Sequence, residues 1–262
     1  MRTSMSLACL TALLASFCLP ACAIWHRGPE LRRINDNRRA TYRLDVPFEG
    51  HGSGTVVSHD GHVLTAAHVA VAAASGLEIT IEEGNGVIQT YPAQIVAIDV
   101  DHDMAVVKID RHFDRPAALE DPDAVHPGDA IYNVGYPYDF GEMVGRGYVQ
   151  KTGFDLTEDD GTAAIQDAIL VDMPDGPGTS GSGIFLARSG KLIGVMSMAL
   201  WAGGDEQPAT VTRVLGSVRY ARALLDECGV RYLTSVPPLP TDPATAQAAL
   251  RLTITIAPAA KR

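Results

Sequence analysis

The sequence predicts an all-β protein with two antiparallel β-barrels and a C-terminal helix. Between residues 42 and 218, short strand-forming segments are separated by Gly, Pro, Asn and Asp, which is typical of barrels and sandwiches. This span of about 175 residues is too long for one small barrel, so it predicts two. Residues 217–228 (SVRYARALLDEC) have the spacing of an amphipathic helix, and Gly229 follows as a helix stop. The apolar face of this helix comprises Val218, Ala221, Leu224 and Leu225.

Ten segments have the pattern of strands, and they fall into two groups. Residues 112–127 (HFDRPAALEDPDAVHP) contain few strand formers and predict the linker between the groups. The first barrel would cover about residues 42–112 and the second about residues 127–216, with the helix at 217–228, in one domain at 42–235. The predicted strands are 54–57, 63–65, 77–81, 87–91, 104–109, 130–134, 148–151, 168–171, 184–187 and 192–197.

The acidic charge and the low aromatic content argue against a nucleic-acid partner. Of the 262 residues, 46% are hydrophobic and 20% are charged, which is ordinary for a globular protein. The formal net charge of −10 repels phosphate backbones and argues against a nucleic-acid partner. The aromatic content of 6% gives little support to base stacking.

Residues 1–23 have the features of an export signal. Arg2 precedes an apolar stretch at residues 7–19, and small residues follow. Two processing routes fit the sequence: cleavage after Ala23, or lipidation of Cys22 in a segment that resembles a bacterial lipoprotein box. A lipid on Cys22 would attach the protein to a membrane without a spanning helix. We therefore expect a periplasmic or envelope-attached protein, with secretion as the alternative.

The segments flanking the predicted domain have open interpretations. Residues 24–41 contain five arginines, which indicate a solvated lead-in or a basic collar on anionic lipid. Residues 236–262 form a Pro-rich tail that includes the alternating sequence LRLTITI. This tail segment would pair with a sheet edge of its own chain or of another molecule, or it would be a frayed terminus. The sequence does not indicate the oligomeric state.

No metal site or cofactor is predicted. Three of the four cysteines lie in the export signal, which leaves Cys228 without a partner for a disulfide or a zinc cluster. His51, His59 and His62 lie around predicted turns and are interpreted as facing solvent.

Three polar residues stand in sequence contexts that suggest nucleophilic catalysis. His68 follows a strand in VLTAAHVA, Asp103 opens the apolar strand DMAVVKID, and Ser180 lies between glycines in DGPGTSGSGIF. Serine becomes a nucleophile when a base takes its proton, histidine is the usual base, and a carboxylate can orient it. The glycines around Ser180 allow successive backbone N–H groups to point at one oxyanion.

These motifs resemble those of the chymotrypsin/trypsin-like serine proteases. TAAHV is similar to the catalytic-histidine motif, DHDMAVVKI to the aspartate strand, and GTSGSGIF to the nucleophile loop, including that of glutamyl endopeptidases. GDAIYNVGYPYDFGEMVGRGYV is similar to the start of the second barrel in bacterial HtrA-like proteases. The resemblance covers about residues 50–225 and implies a chymotrypsin-like fold. The tail after Leu233 is too short for the PDZ domain of typical HtrA proteins.

The resemblance also implies a role for each site residue. His68 would be the general base, Asp103 its orienting partner and Ser180 the nucleophile. The backbone N–H groups of Gly178 and Ser180 would form the oxyanion hole. The substrate-binding residues, on a strand that pairs with the substrate backbone, would be Ser197, Met198 and Ala199.

Two further positions bear on specificity. Pro174 lies six residues before the nucleophile and Met196 lies before the substrate strand, where relatives place residues that recognise basic or acidic side chains. A small or medium apolar side chain before the cleaved bond is therefore expected.

The predicted function is that of an exported serine endopeptidase. It would hydrolyse polypeptides through an acyl-enzyme on Ser180 and need no cofactor. Two alternatives stay open: a catalytically silent module that binds peptides in the same cleft, and an esterase with the same triad.

Overall fold

The first barrel is built from six antiparallel strands. The computed structural model describes residues 28–73, 76–82, 87–157, 163–202 and 210–236. The strands of this barrel follow one another in the closed order β1-β2-β3-β6-β5-β4. They are β1 (Thr41–Val46), β2 (Gly50–Val56), β3 (His62–Thr65), β4 (Leu77–Glu82), β5 (Ile88–Asp99) and β6 (Met104–Lys108).

Alternation of side chains explains how these strands enclose a core. In β4, Leu77, Ile79 and Ile81 are buried, whereas Glu78 and Glu82 are exposed, because successive side chains of a strand point to opposite faces. Residues 104–107 of β6 are all buried, since one face of that strand lines the barrel and the other is covered.

The second barrel repeats the architecture of the first. Its closed order is β10-β11-β12-β9-β8-β7, and every pairing is antiparallel. The prediction of two antiparallel barrels is thus confirmed. The strands are β7 (Ala130–Gly135), β8 (Met143–Thr157), β9 (Ala163–Asp172), β10 (Gly183–Leu186), β11 (Leu192–Ala202) and β12 (Thr210–Ser217).

Three α-helices lie around the barrels in the described ranges: α1 (28–38), α2 (Ala67–Ala72) and α3 (Val218–Glu227). The C-terminal helix α3 was predicted, and the Ser217 hydroxyl caps it by accepting a hydrogen bond from the Arg219 N–H. Its buried face is the predicted one. This face packs into a core cluster that both barrels share, with Leu64 and Val106 from the first and Tyr132 and Phe185 from the second.

Helix α1 corrects the interpretation of the Arg-rich segment as a solvated lead-in. Ile34 is buried in the shared core. The Asn37 side-chain amide donates hydrogen bonds of 2.8 Å to the Tyr132 hydroxyl and to the Gly190 carbonyl. This helix is therefore attached to the second barrel, although it precedes the first in the chain.

The connection between the barrels is also packed rather than free. Ala117, Ala118 and Leu119 are buried. The Leu119 N–H donates to the Leu233 carbonyl at 2.7 Å, and the Glu120 N–H donates to the Leu192 carbonyl at 2.9 Å. The linker therefore supports the second barrel and the C-terminal segment.

Several predictions concern residues outside the described ranges. These are the export signal at 1–23, lipidation of Cys22 and the LRLTITI segment of the tail. Within the ranges that are described, none of the helices has the length and apolar character needed to cross a membrane.

Candidate active site

The barrel strands bring His68 and Asp103 together. β3 and β6 pair in antiparallel register, with Thr65 opposite Ala105, so the end of one strand lies beside the start of the other. His68 lies in α2 just after β3, and Asp103 directly precedes β6. The His68 Nδ1 atom lies 2.8 Å from Asp103 Oδ2 and 3.1 Å from Oδ1. The predicted pairing of histidine and aspartate is present in the structure.

The Asp103 carboxylate accepts two further hydrogen bonds. The His68 backbone N–H donates to Oδ1 at 2.9 Å, and the Ser197 hydroxyl donates to Oδ2. Burial raises the pKa of Asp103, but the hydrogen bonds from His68 and Ser197, together with the histidine charge, hold that pKa below its ordinary value. The carboxyl is therefore ionised near neutral pH. It fixes the Nδ1–H tautomer of His68 and leaves Nε2 free to accept a proton.

Ser180 lies on the loop that joins β9 to β10, and this loop is attached to both barrels. On the side of the first barrel, the Ser53 N–H donates a 2.8 Å hydrogen bond to the Ser180 carbonyl. On the side of the second, the Gly181 N–H donates to the Met196 carbonyl at 2.8 Å. The nucleophile loop, residues 174–182, therefore bridges the junction between the barrels, and Ser180 is half-buried there.

The backbone of Ser180 lies close to the helix that carries His68. A Cβ placed on Gly52 would be 2.8 Å from a methyl group of Val69 and 3.0 Å from the Ser180 carbonyl oxygen. The Val69 side chain of α2 and the Ser180 backbone therefore both lie next to Gly52. Across the described ranges, no hydrogen bond joins the Ser180 hydroxyl to the His68 ring. The structure thus contains a bonded histidine–aspartate pair with the serine loop beside it.

Gly181 is required for the close packing of this loop. Its φ is +83°, and a Cβ there would lie 2.2 Å from both the Ser53 carbonyl oxygen and Thr65 Oγ1. We expect Gly181→Ala to lower the free energy of unfolding by about 3 kcal/mol, because it combines backbone strain with a clash. Urea unfolding measures this change.

Gly128 provides a matched control for that substitution. Its φ is +89°, but a Cβ there would meet nothing within 4 Å. Gly128→Ala should therefore cost about 1 kcal/mol, from backbone strain alone. Equal losses for the two variants would contradict the close packing of Gly181.

The backbone N–H groups of Gly178 and Ser180 are the predicted oxyanion-hole donors. The Pro177 carbonyl accepts a 2.6 Å hydrogen bond from the Tyr138 N–H. Because a trans peptide holds its C=O and N–H on opposite sides, the Gly178 N–H points away from Tyr138. The Gly178 carbonyl accepts a 2.7 Å hydrogen bond from the Ser53 hydroxyl. In the described part of the chain, neither the Gly178 N–H nor the Ser180 N–H donates to another protein group.

His51 supports this loop, and the sequence interpretation of it as a solvent-facing histidine is corrected. It lies on β2, half-buried, with Nε2 at 2.9 Å from the Tyr136 carbonyl oxygen. A Cβ on Gly178 would come within 2.4 Å of His51 Nε2, so a glycine is needed there. The sequence contains no local signal for this contact, because the two residues meet only through the fold.

The predicted substrate strand divides into two parts. Ser197 is buried and lies where the register between β11 and β12 shifts, and its hydroxyl is bonded to Asp103. Its side chain therefore supports the carboxylate rather than lining the cleft as predicted, while its backbone position in β11 is unaffected. Met198 and Ala199 are half-buried, opposite Val214 and Arg213 of β12.

Comparison with known proteins agrees with the class that the fold defines, the chymotrypsin-like serine proteases. The family model described as a trypsin-like peptidase domain matches residues 52–195, which is more than half of the chain. The chain therefore belongs to the trypsin-like peptidase family. The matched region includes His68, Asp103 and Ser180.

Its relatives include HtrA-type proteases. A probable periplasmic serine endoprotease DegP-like from Marinomonas sp. is 31% identical over 146 residues, which cover 56% of this chain and 29% of that protein. The serine endoprotease DegS from Haemophilus influenzae is 26% identical over 185 residues, which cover 70% of this chain and 50% of that protein. The chain thus spans half or less of these two relatives. A structure of the HtrA-type protease AlgW with tripeptide has the same fold, with a TM-score of 0.63 and 24% sequence identity. The match covers 76% of this chain and 62% of the AlgW chain.

Proposed function

We propose that the protein is an exported serine endopeptidase that cleaves polypeptides through an acyl-enzyme on Ser180. The observation that carries the proposal is the Asp103–His68 pair beside the nucleophile loop. A fixed Nδ1–H tautomer leaves the other ring nitrogen as a base. Apo hydrogen bonds between nucleophile and base are often long and tighten when substrate binds, which fits the absence of a Ser180–His68 bond in the described ranges.

Acylation follows from these positions. His68 Nε2 takes the proton from the Ser180 hydroxyl while the oxygen attacks the carbonyl carbon of the scissile bond. The electron pair of the carbonyl moves to its oxygen, where the N–H groups of Gly178 and Ser180 stabilise the negative charge. The intermediate then collapses, the C–N bond breaks, and His68 gives its proton to the leaving amine. Throughout, Asp103 stabilises the imidazolium without taking its proton.

Deacylation repeats the sequence with water as the nucleophile. His68 removes a proton from a water molecule, and the resulting oxygen attacks the ester on Ser180. The same two N–H groups hold the second oxyanion. Breaking the ester bond returns the proton to Ser180 and releases the new carboxyl terminus.

The substrate class follows from the strand beside the site. Extended peptides add to a sheet edge through main-chain hydrogen bonds. Met198 and Ala199 pair with β12 on one side, whereas β10 pairs with β11 only as far as Val195, so the other side of these two residues is the proposed edge. The HtrA-type protease AlgW, which has the same fold, is described in complex with a tripeptide. Polypeptides are therefore the proposed partners, and the net charge of −10 argues against nucleic acids.

Export is proposed from the sequence and from the relatives. Residues 1–23 have an export pattern, and the DegP-like relative is named as periplasmic. We place the protein in the bacterial periplasm or, if Cys22 is lipidated, at the envelope membrane.

Labelling with a fluorophosphonate tests the proposal. The reagent reacts with activated serines, so we expect one label, located at Ser180 by peptide mapping. Ser180→Ala should remove the label. Ser182→Ala is a matched control in the same loop, because the Ser182 hydroxyl is buried without a hydrogen-bond partner, and this variant should label like the wild type.

The other outcomes separate the alternatives. A folded protein that takes no label would contradict the proposal and indicate the silent peptide-binding module. A labelled protein that hydrolyses small esters but leaves casein and peptide libraries intact would indicate the esterase.

A further inference from the structure

A buried ion pair lies between the nucleophile loop and the sheet behind it. Asp175 belongs to the loop, five residues before Ser180, and Arg213 lies on β12. The Arg213 Nε atom is 3.1 Å from Asp175 Oδ2, and each side chain is only 14% exposed. Neither residue is needed for the proposed acyl transfer, so their burial beside the site requires another explanation.

The pair is incompletely hydrogen-bonded. In the described part of the chain, Arg213 Nε and Nη1 and Asp175 Oδ1 are buried without a hydrogen-bond partner. By contrast, Glu120, which pairs with Lys191, also accepts a hydrogen bond from Ser189. Buried polar atoms in folded proteins nearly always have partners, because leaving one unpaired costs its full desolvation. Asp175 and Arg213 differ from the isolated Ser182 hydroxyl because a free acceptor and free donors lie side by side, where one group able to donate and accept could pair with both.

The pair lies beside the strand segment that is proposed to hold the peptide. Arg213 lies directly opposite Ala199 in the β11–β12 ladder, and residues opposite each other project from the same face of a sheet. Asp175 reaches this face from the loop that carries Ser180. The pair thus joins that loop to β12 at the position opposite Ala199. Ala199 lies two residues along β11 from Ser197, which contacts Asp103.

The chemistry of the pair selects among side chains. An aliphatic side chain would leave the Arg213 donor and the Asp175 acceptor unpaired. A carboxylate would pair with Arg213 but would be repelled by Asp175, and a cationic side chain would meet the reverse problem. A carboxamide is uncharged, and its oxygen can accept from Arg213 while its NH₂ group donates to Asp175.

We propose that the Asp175–Arg213 pair makes the protein select glutamine or asparagine as the residue whose carbonyl is attacked. This inference rests on the proposed endopeptidase function. It replaces the apolar preference that the sequence resemblance implied, because that expectation was based on Pro174 and Met196 and did not include Arg213.

The raised pKa of Asp175 is consistent with a carboxylate oxygen that lacks a hydrogen-bond donor. Burial raises the pKa of its carboxyl, and the Gly176 N–H and the Arg213 charge only partly offset this. A substrate N–H donated to Oδ1 would stabilise the ionised form.

Peptides that differ at one position test the inference. In a matched series with Gln, Asn, Leu or Glu before the cleaved bond, we expect kcat/KM to be at least about tenfold higher for Gln or Asn than for Leu or Glu. Asp175→Asn leaves the Arg213 charge unbalanced, so the preference should move to Glu over Gln by about tenfold. Arg213→Met should remove the advantage of Gln over Leu. Arg115→Met, which breaks the half-buried pair with Asp36 far from the cleft, is the control and should keep the wild-type ranking.

The results separate failure of this inference from failure of the proposed function. Cleavage with a Leu preference that neither variant changes would overturn the inference and leave the endopeptidase intact. No cleavage of any peptide and no label on Ser180 would reject both. If circular dichroism shows that Arg213→Met is unfolded, Arg213→Lys replaces it, since lysine keeps the charge but lacks the planar fork and should lose the Gln advantage.

Discussion

Replacing His68 with alanine is expected to lower kcat for peptide hydrolysis by about 10⁶. The substitution removes the ring whose Nδ1 is held by Asp103 and whose Nε2 is proposed to take the Ser180 proton. KM should change little, because His68 acts on the reacting atoms rather than on the peptide as a whole. Steady-state kinetics with a chromogenic peptide measures both constants, and fluorophosphonate labelling of Ser180 should disappear in parallel.

The control for this variant is His126→Ala. His126 is exposed, and its ring contacts the carbonyl of Ala124, away from the site. Its removal should leave kcat unchanged. A fall of less than tenfold in His68→Ala would mean that another group serves as the base, and the proposed mechanism would be wrong.

Asp103→Asn is expected to lower kcat by about 10⁴ while the protein stays folded. The carboxylate accepts hydrogen bonds from the His68 ring, the His68 N–H and the Ser197 hydroxyl. An amide has an NH₂ group in place of one oxygen, so it would favour the tautomer of His68 with the proton on the wrong nitrogen. Kinetics measures the loss, and thermal unfolding confirms that the fold is retained.

Asp99→Asn is the matched control for Asp103→Asn. Asp99 lies four residues earlier and bonds the ring of His102, in the turn before β6. This variant changes an aspartate of the same segment without touching His68, so its kcat should stay within about twofold of the wild type. Similar losses in both variants would show that the turn, and not the Asp103 carboxylate, is what the site requires.

Most strands and the C-terminal helix could be predicted from local sequence patterns. The elements that were shortened or missed have physical causes. The predicted strand ended at Tyr91, but Pro92 pairs with Glu78 and β5 continues to Asp99. β1 and β12 were missed as strands, although Tyr42, Leu44 and Val46 alternate in β1. Helix α1 was not predicted because Ile34 is its one residue in the core cluster, and a single core residue among arginines gives no helical periodicity.

In the candidate site, too, contacts between residues distant in the sequence could not be predicted. Motifs nominated His68 and Asp103 as partners, and the structure brings them together. By contrast, the contacts of Ser197 with Asp103 and of Ser53 with Gly178 join residues far apart in the chain, and no local pattern encodes them. The Asp175–Arg213 pair escaped notice for the same reason, since each residue alone is an unremarkable charge in a polar context.

The attachment of α1 has a consequence for the order in which the chain can fold. Asn37 bonds Tyr132 and Gly190, which lie 95 and 153 positions later, so α1 cannot make these contacts until strands β7 to β10 of the second barrel have been synthesised. Contacts of such large sequence separation slow folding. A partly synthesised chain would thus lack both the contacts of α1 with the second barrel and the completed junction between the barrels.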